Sequence, residues 1–181
     1  MSKKISKLLL FSIALLLFSA QSGMTDRNVR SPSTDRTVTA GPYYNASTKS
    51  YFELFSFPEI TWQEAELEAK NHIFKKTTGR LATINSYKTH KFLVDNFTFT
   101  QDTWVGLQFF CESSEAKWLD GTTPLSNHFE NWEPNLSASN DLCVLEEFLP
   151  IFIRNNSFIW EVSSLRKVSN FYLVEYRTGT K

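Results

Sequence analysis

Cysteine is scarce in this chain: Cys111 and Cys143 are the two among 181 residues. So few exclude a disulfide-stapled scaffold, in which several bridges stand in for a core. Whether the two pair with each other is not legible from spacing, because pairing depends on how close the backbone brings them. Histidine is almost as sparse, and His72, His90 and His128 are isolated from one another. No imidazole or thiolate cluster is therefore present to select zinc or another transition metal. Net charge is missing as well, with 19 Lys and Arg against 19 Asp and Glu. That balance speaks against nucleic acid and anionic membrane surfaces as partners. No phosphate-binding glycine loop, nucleophile elbow or metal-histidine motif occurs. Glu146 and Glu147, read as neighbours on a strand, point to opposite faces and form no acid/base pair. The chain reads as a binding protein, not an enzyme.

A long apolar run is also absent. Residues 8–18 form the longest, about half of the roughly 20 needed to cross a bilayer. This run follows Lys3, Lys4 and Lys7 and precedes Ala20-Gln21-Ser22. That is the layout of an export signal over residues 1–22, with an uncleaved anchor as the alternative. No cysteine near Ser22 offers a lipid attachment point. Loss of the three lysines leaves 16 basic against 19 acidic residues, a net charge of −3. The expected location is secreted or extracytoplasmic, the cell surface included.

Residues 23–42 are rich in Ser, Thr, Asp, Arg and Pro and poor in large apolar side chains, which predicts a flexible spacer. A single domain is expected over residues 43–178. Its first strand is the aromatic stretch 51–57, ended by Pro58. Thr61 and Glu64 have the spacing of a capping box, and Trp62, Ala65, Ala69 and Ile73 form one apolar helical face, with Lys75-Lys76 at the C-terminal end of the helix dipole. A short strand over 81–84 and a second helix over 87–94, capped by Ser86, follow. Strands are further expected at 104–107, 143–145, 157–160 and 171–176. Residues 108–141 show little periodicity, and a loop that long inside a compact domain is usually functional.

What stands in and after that loop is oxygen. Glu133, Asn135, Asp141 and Glu161 supply three carboxylates and a carboxamide, near Trp132 and Pro134. Such acids are either ordinary loop solvation or the oxygen shell of a hard cation. Calcium takes six to eight oxygens from carboxylates, amides, carbonyls and water, and this set suits it. Pro134 adds the option of a cis bond that turns its flanking side chains to one side. Trp62, Trp104 and Trp160 read as core, whereas Trp132 reads equally well as a sugar-stacking surface. Asn45, Asn96, Asn135 and Asn155 begin glycosylation sequons.

Residues 43–176 resemble a C-type lectin-like domain. The resemblance is carried by Trp62 with Ala65, by Gly79-Arg80-Leu81-Ala82-Thr83-Ile84-Asn85-Ser86, and by Trp104-Val105-Gly106-Leu107. It continues through Trp118-Leu119-Asp120-Gly121, Asn131-Trp132-Glu133-Pro134-Asn135, Cys143-Val144, Trp160 and Tyr172-Leu173-Val174-Glu175-Tyr176. It implies an α+β fold, two helices on a curled, mixed but mainly antiparallel sheet with a long ligand loop. It also implies that Glu-Pro-Asn reads mannose-type sugars, with Glu133 and Asn135 holding both calcium and vicinal hydroxyls. Asp141 and the residue after Trp160 would complete the shell. Glu133, Asn135, Asp141 and Glu161 are thus the candidate sugar-binding and calcium-binding residues.

The chain departs from the family pattern after Trp160, where Glu161-Val162 replaces Asn-Asp. The shell keeps three negative charges but loses an amide donor. Phe109 and Leu136 fall where some relatives hold a second calcium. The cysteine positions of the family bridges are occupied by Ala69, Val174 and a residue near Leu165, so this resembles a disulfide-poor, bacterial-type member. Two readings follow: a secreted calcium-dependent lectin for mannose-like glycans or glycoproteins, or a calcium-independent lectin-like module that binds a protein, as an adhesin or host-contact factor.

Overall fold

The structure is a computed structural model that describes residues 36–124 and 139–181, all within the compact unit Ser33–Lys181. The expected signal, residues 1–22, lies outside the described residues. Strand β1, Thr37–Asn45, pairs antiparallel with β2, Ser50–Thr61. The last six residues of the expected spacer are therefore strand: β1 is held by backbone pairing to β2, which does not require the large side chains the stretch lacks.

Helix α1, Trp62–Asn71, starts where the capping box predicts. The Glu64 amide donates to Thr61 Oγ1 and the Thr61 amide donates to Glu64 Oε2 at 2.9 Å. Trp62, Ala65 and Ala69 are buried as expected, but Ile73 is not. The helix stops at Asn71, and Ile73 lies 73% exposed in a small hairpin, β3 (Ile73–Phe74) with β4 (Thr77–Thr78). Lys75 and Lys76 do not finish the helix; they make the tight turn of that hairpin with φ of 47° and 64°.

Strand β5, Arg80–Leu81, is shorter than expected, and helix α2 runs Tyr87–Asn96 with Ser86 as its cap. Strand β6, Thr103–Phe110, then pairs with β7, Glu115–Trp118, so residues 108–118 are a hairpin where irregular chain was expected. A four-residue helix, α3 (Ser139–Leu142), precedes β8 (Phe148–Ile153), β9 (Trp160–Val162) and β10 (Val168–Tyr176). The expected strand at 143–145 is instead a turn that leaves Val144 and Leu145 75% and 88% exposed. Glu146 and Glu147 also precede the strand. Pro150 sits in β8 beside the register shift against β6, the kind of irregularity where a missing amide donor is tolerated.

The main sheet runs β1-β2-β10-β6-β8-β9, with β5 on β10 and β7 on β6. Every pairing in it is antiparallel except β10 with β6, so the sheet is mixed and mainly antiparallel, as expected. Along β2 the side chains alternate between two cores. Phe52 and Leu54 join Trp118, Trp160 and Leu173; Tyr51, Phe55 and Phe57 join Trp62, Trp104 and Val174. Two indoles lock these layers: Trp62 Nε1 donates to Val105 O and Trp104 Nε1 to Ile60 O, both at 2.8 Å. A Cβ on Gly106 would stand 2.7 Å from Leu81 O, so only glycine lets β5 and its extension lie on β6.

Where the resemblance places a bridge between the first helix and last strand, the chain packs instead. Ala69 and Val174 are fully buried, and a Cβ on Gly79 would stand 2.6 Å from both Ala69 O and Val174 Cγ1. Beside them His72 Nε2 meets the Tyr172 hydroxyl at 2.8 Å, and its ring stacks on Phe55 at 3.8 Å. Burial, assisted by the Arg36 charge, lowers His72 from 6.5 to about 4.

Three polar contacts make stability measurable at single residues. Glu175 is 1% exposed, bonded by Arg80, Arg177 and Ser50. Glu175→Ala should cost roughly 1–3 kcal/mol in urea unfolding, because the buried Ser50 hydroxyl loses its carboxylate partner while Arg80 and Arg177 keep Asp120. Glu115→Ala, which breaks an exposed pair with Lys117, should cost less than about 0.5 kcal/mol. His72 is protonated more readily in the unfolded chain, so its contribution is complete above pH 6.5 and falls as pH drops toward 4. The urea midpoint of wild type should therefore fall further across that window than that of His72→Gln; parallel curves would remove His72 as the cause.

Candidate functional site

The candidate site begins where β6 ends. Cys111 follows Phe110, its amide donates to Glu147 O at 3.1 Å, and its sulfur is bonded to that of Cys143. The two Cα atoms are 5.4 Å apart, and the bridge closes a loop with sequence separation 32. This bridge ties the turn between β6 and β7 to the turn after α3. Asp141 stands on α3, two residues before Cys143, with its side chain exposed. It borders an open cavity of about 300 Å³ shared with Leu142, Leu145, Ser164 and Arg166.

Glu161 stands on a different element. It lies opposite Phe152 in the β8–β9 pair, and its Oε2 accepts from Arg154 Nε at 2.8 Å and Arg154 Nη2 at 2.7 Å. Both bonds are in the range of charge-assisted pairs. Of the four expected ligand residues, the structure thus places Asp141 and Glu161. Glu133 and Asn135 lie outside the described residues, as do His128, Trp132, Pro134 and Leu136.

Arg154 is the residue that the sequence reading missed. Its only signal is an opposite charge seven residues before Glu161, across turn-forming Asn155-Asn156. Whether the described residues suit calcium can be tested on this pair. An ion seated on the Glu161 carboxylate would face the guanidinium at roughly 5 Å. The repulsion would be about 2 kcal/mol in bulk water and about 7 kcal/mol at an effective dielectric of 20. Val162 brings no side-chain oxygen. Asp141 suits a hard cation; the Glu161 corner does not. Among the described residues no group of three or more His, Cys, Asp and Glu is arranged to hold a metal ion.

His72 and His90 contribute to packing. His72 is held by Tyr172, and burial lowers His90, whose ring lies against Phe158 at 5.4 Å. Trp62, Trp104, Trp118 and Trp160 are all buried, the last two edge to face at 5.4 Å, so none of the four offers a sugar-stacking surface.

The family model for the lectin C-type domain matches residues 59–164, more than half of the chain. The chain belongs to the C-type lectin domain family. Such a domain is a non-enzymatic binding module. Among curated proteins, the chain is similar to C-type lectin lectoxin-Phi2 of Philodryas olfersii, 31% identical over 88 residues, 47% of this chain and 54% of that protein. It is also similar to halomucin of Haloquadratum walsbyi, an archaeal protein, 28% identical over 141 residues, 74% of this chain and 2% of that protein. The chain therefore spans about half the length of the first relative and a very small part of the second. Among solved structures, the C-type carbohydrate-recognition domain of cow CD23, determined in the presence of a GlcNAc2Man3 oligosaccharide, superposes with a TM-score of 0.53. Identity there is 18%, over 80% of this chain and 95% of that one, a likeness of fold.

The C-type lectin domain here carries one bridge. By loop entropy it contributes about 3–4 kcal/mol. The double substitution Cys111→Ser with Cys143→Ser should lower unfolding free energy by that amount while far-UV circular dichroism keeps its shape. A loss under about 1 kcal/mol would mean that other contacts hold the loop ends together.

Proposed function

We propose that this chain is an exported carbohydrate-binding protein, and that Glu133, Asn135 and Asp141 engage vicinal hydroxyls of mannose-type glycans. The observation that carries this reading is the Glu133-Pro134-Asn135 triplet. It lies inside the span that matches the lectin C-type domain and between the two bridged cysteines. A carboxylate that accepts and a carboxamide that donates are what two adjacent hydroxyls require. The oligosaccharide present with the cow CD23 domain supports the ligand class. Glu133, Asn135 and Asp141 are the residues of this chain offered to calcium; Glu161, the fourth of the set, is engaged by Arg154.

Export is supported by the signal-like residues 1–22 and by the disulfide, which persists in oxidising compartments. The single bridge, with the archaeal likeness, supports a disulfide-poor microbial member, in line with a bacterial-type one. A second reading is a calcium-independent module that binds a protein partner, as an adhesin or host-contact factor. The exposed Val144 and Leu145 beside Asp141 favour it.

A glycan array with wild type and Glu133→Ala, each in calcium and in chelator, separates these readings. Wild type should retain mannose-type glycans, and Glu133→Ala should lose them at an unchanged melting temperature. Glycan signals that survive Glu133→Ala would refute the assignment, and a blank array beside capture of a protein ligand would favour the second reading.

A further inference from the structure

We propose that Arg154 fills the role at Glu161 that a metal ion would otherwise fill, so that Glu161 is an ion-pair partner and not a calcium ligand. The geometry is built, not incidental. Ile153 lies opposite Trp160 and Phe152 opposite Glu161, which puts Arg154 and Glu161 within the diagonal reach of long side chains. The Arg154 amide donates to Ile159 O at 2.8 Å, and the Ser157 hydroxyl donates to Arg154 O at 3.2 Å, closing the hairpin under the guanidinium. The turn is fixed further from outside. The Asn156 amide donates to Phe99 O at 2.8 Å and the Asn155 amide to Asp102 Oδ1 at 3.1 Å.

The backbone that carries Arg154 is thus tied to the segment just before β6. The guanidinium places two donors on one carboxylate oxygen, a planar arrangement that a lysine would not reproduce. The charge that Glu161 brings to this corner is neutralised within the protein. Calcium bound elsewhere in the site has no claim on it, and the β8–β9 corner keeps its shape with or without the ion. This deepens the glycan-binding reading and rests on it only for what the neighbouring loop binds; the metal test stands by itself.

The full chain is titrated with calcium chloride by calorimetry, wild type beside Glu161→Gln. The expected result is the same calcium response in both, whether that is a shared affinity or none. Weakening by about tenfold or more in Glu161→Gln, the usual size of an effect on a metal shell, would overturn the proposal. A readout on wild type guards against a variant that does not fold. The Nε–H nuclear magnetic resonance signal of Arg154 should stay in place as calcium is added. Movement that saturates with calcium binding would show the ion displacing Arg154 and would overturn the proposal. Failure of the glycan reading looks different, a blank array in every buffer with both of these measurements unaffected.

Discussion

The carboxylate of Glu175 sets a constraint that the rest of the fold meets. It is buried on β10, the strand that pairs with β2, β5 and β6, and a buried charge is tolerated only with partners. Each partner comes from a different part of the chain: Ser50 at the start of β2, Arg80 on β5, and Arg177 just beyond β10. Arg177 also reaches Asp120 at 2.7 Å, which draws in the end of β7. Burial works to raise Asp120, but hydrogen bonds from Thr122 and Arg177 outweigh it and hold the carboxyl below its ordinary range. Satisfying one carboxylate therefore fixes β2, β5 and the β7 end about β10, and β6 runs alongside.

With the core organised this way, the chain has packing where the family resemblance places a bridge between helix and last strand. Ala69, Gly79 and Val174 meet at van der Waals distance where sulfurs would otherwise stand, and close packing replaces a covalent tie. The bridge that is present lies outside this core, between the end of β6 and the turn after α3. The scaffold is thus stabilised at two separate places, by packing and buried charge in the core and by a covalent tie outside it.

The parts of the fold legible in the sequence were those written in local chemistry. Thr61 with Glu64 marked the start of α1, and the buried tryptophans marked the core. The end of α1 was hidden because Ile73 continues the helical spacing of Trp62, Ala65 and Ala69 while belonging to a hairpin. Strand β8 was hidden by Pro150, which sequence patterns place at strand edges, and by Val144-Leu145, whose apolar character belongs to an exposed turn. Asp141 and Glu161 were legible as oxygen donors by type. The pairing of Glu161 with Arg154 was not, since no local pattern marks a diagonal contact across a six-residue turn.

That pairing changes how the Glu161-Val162 departure is understood. Taken by itself, Glu for an amide and Val for an acid look like damage to a cation site. Beside Arg154 the change is internally consistent: one carboxylate gains a guanidinium, and the neighbouring position has an apolar side chain paired to Ile151. The β8–β9 corner thus carries its own counter-charge, apart from the Cys111–Cys143 bridge that ties the β6–β7 turn to the turn after α3.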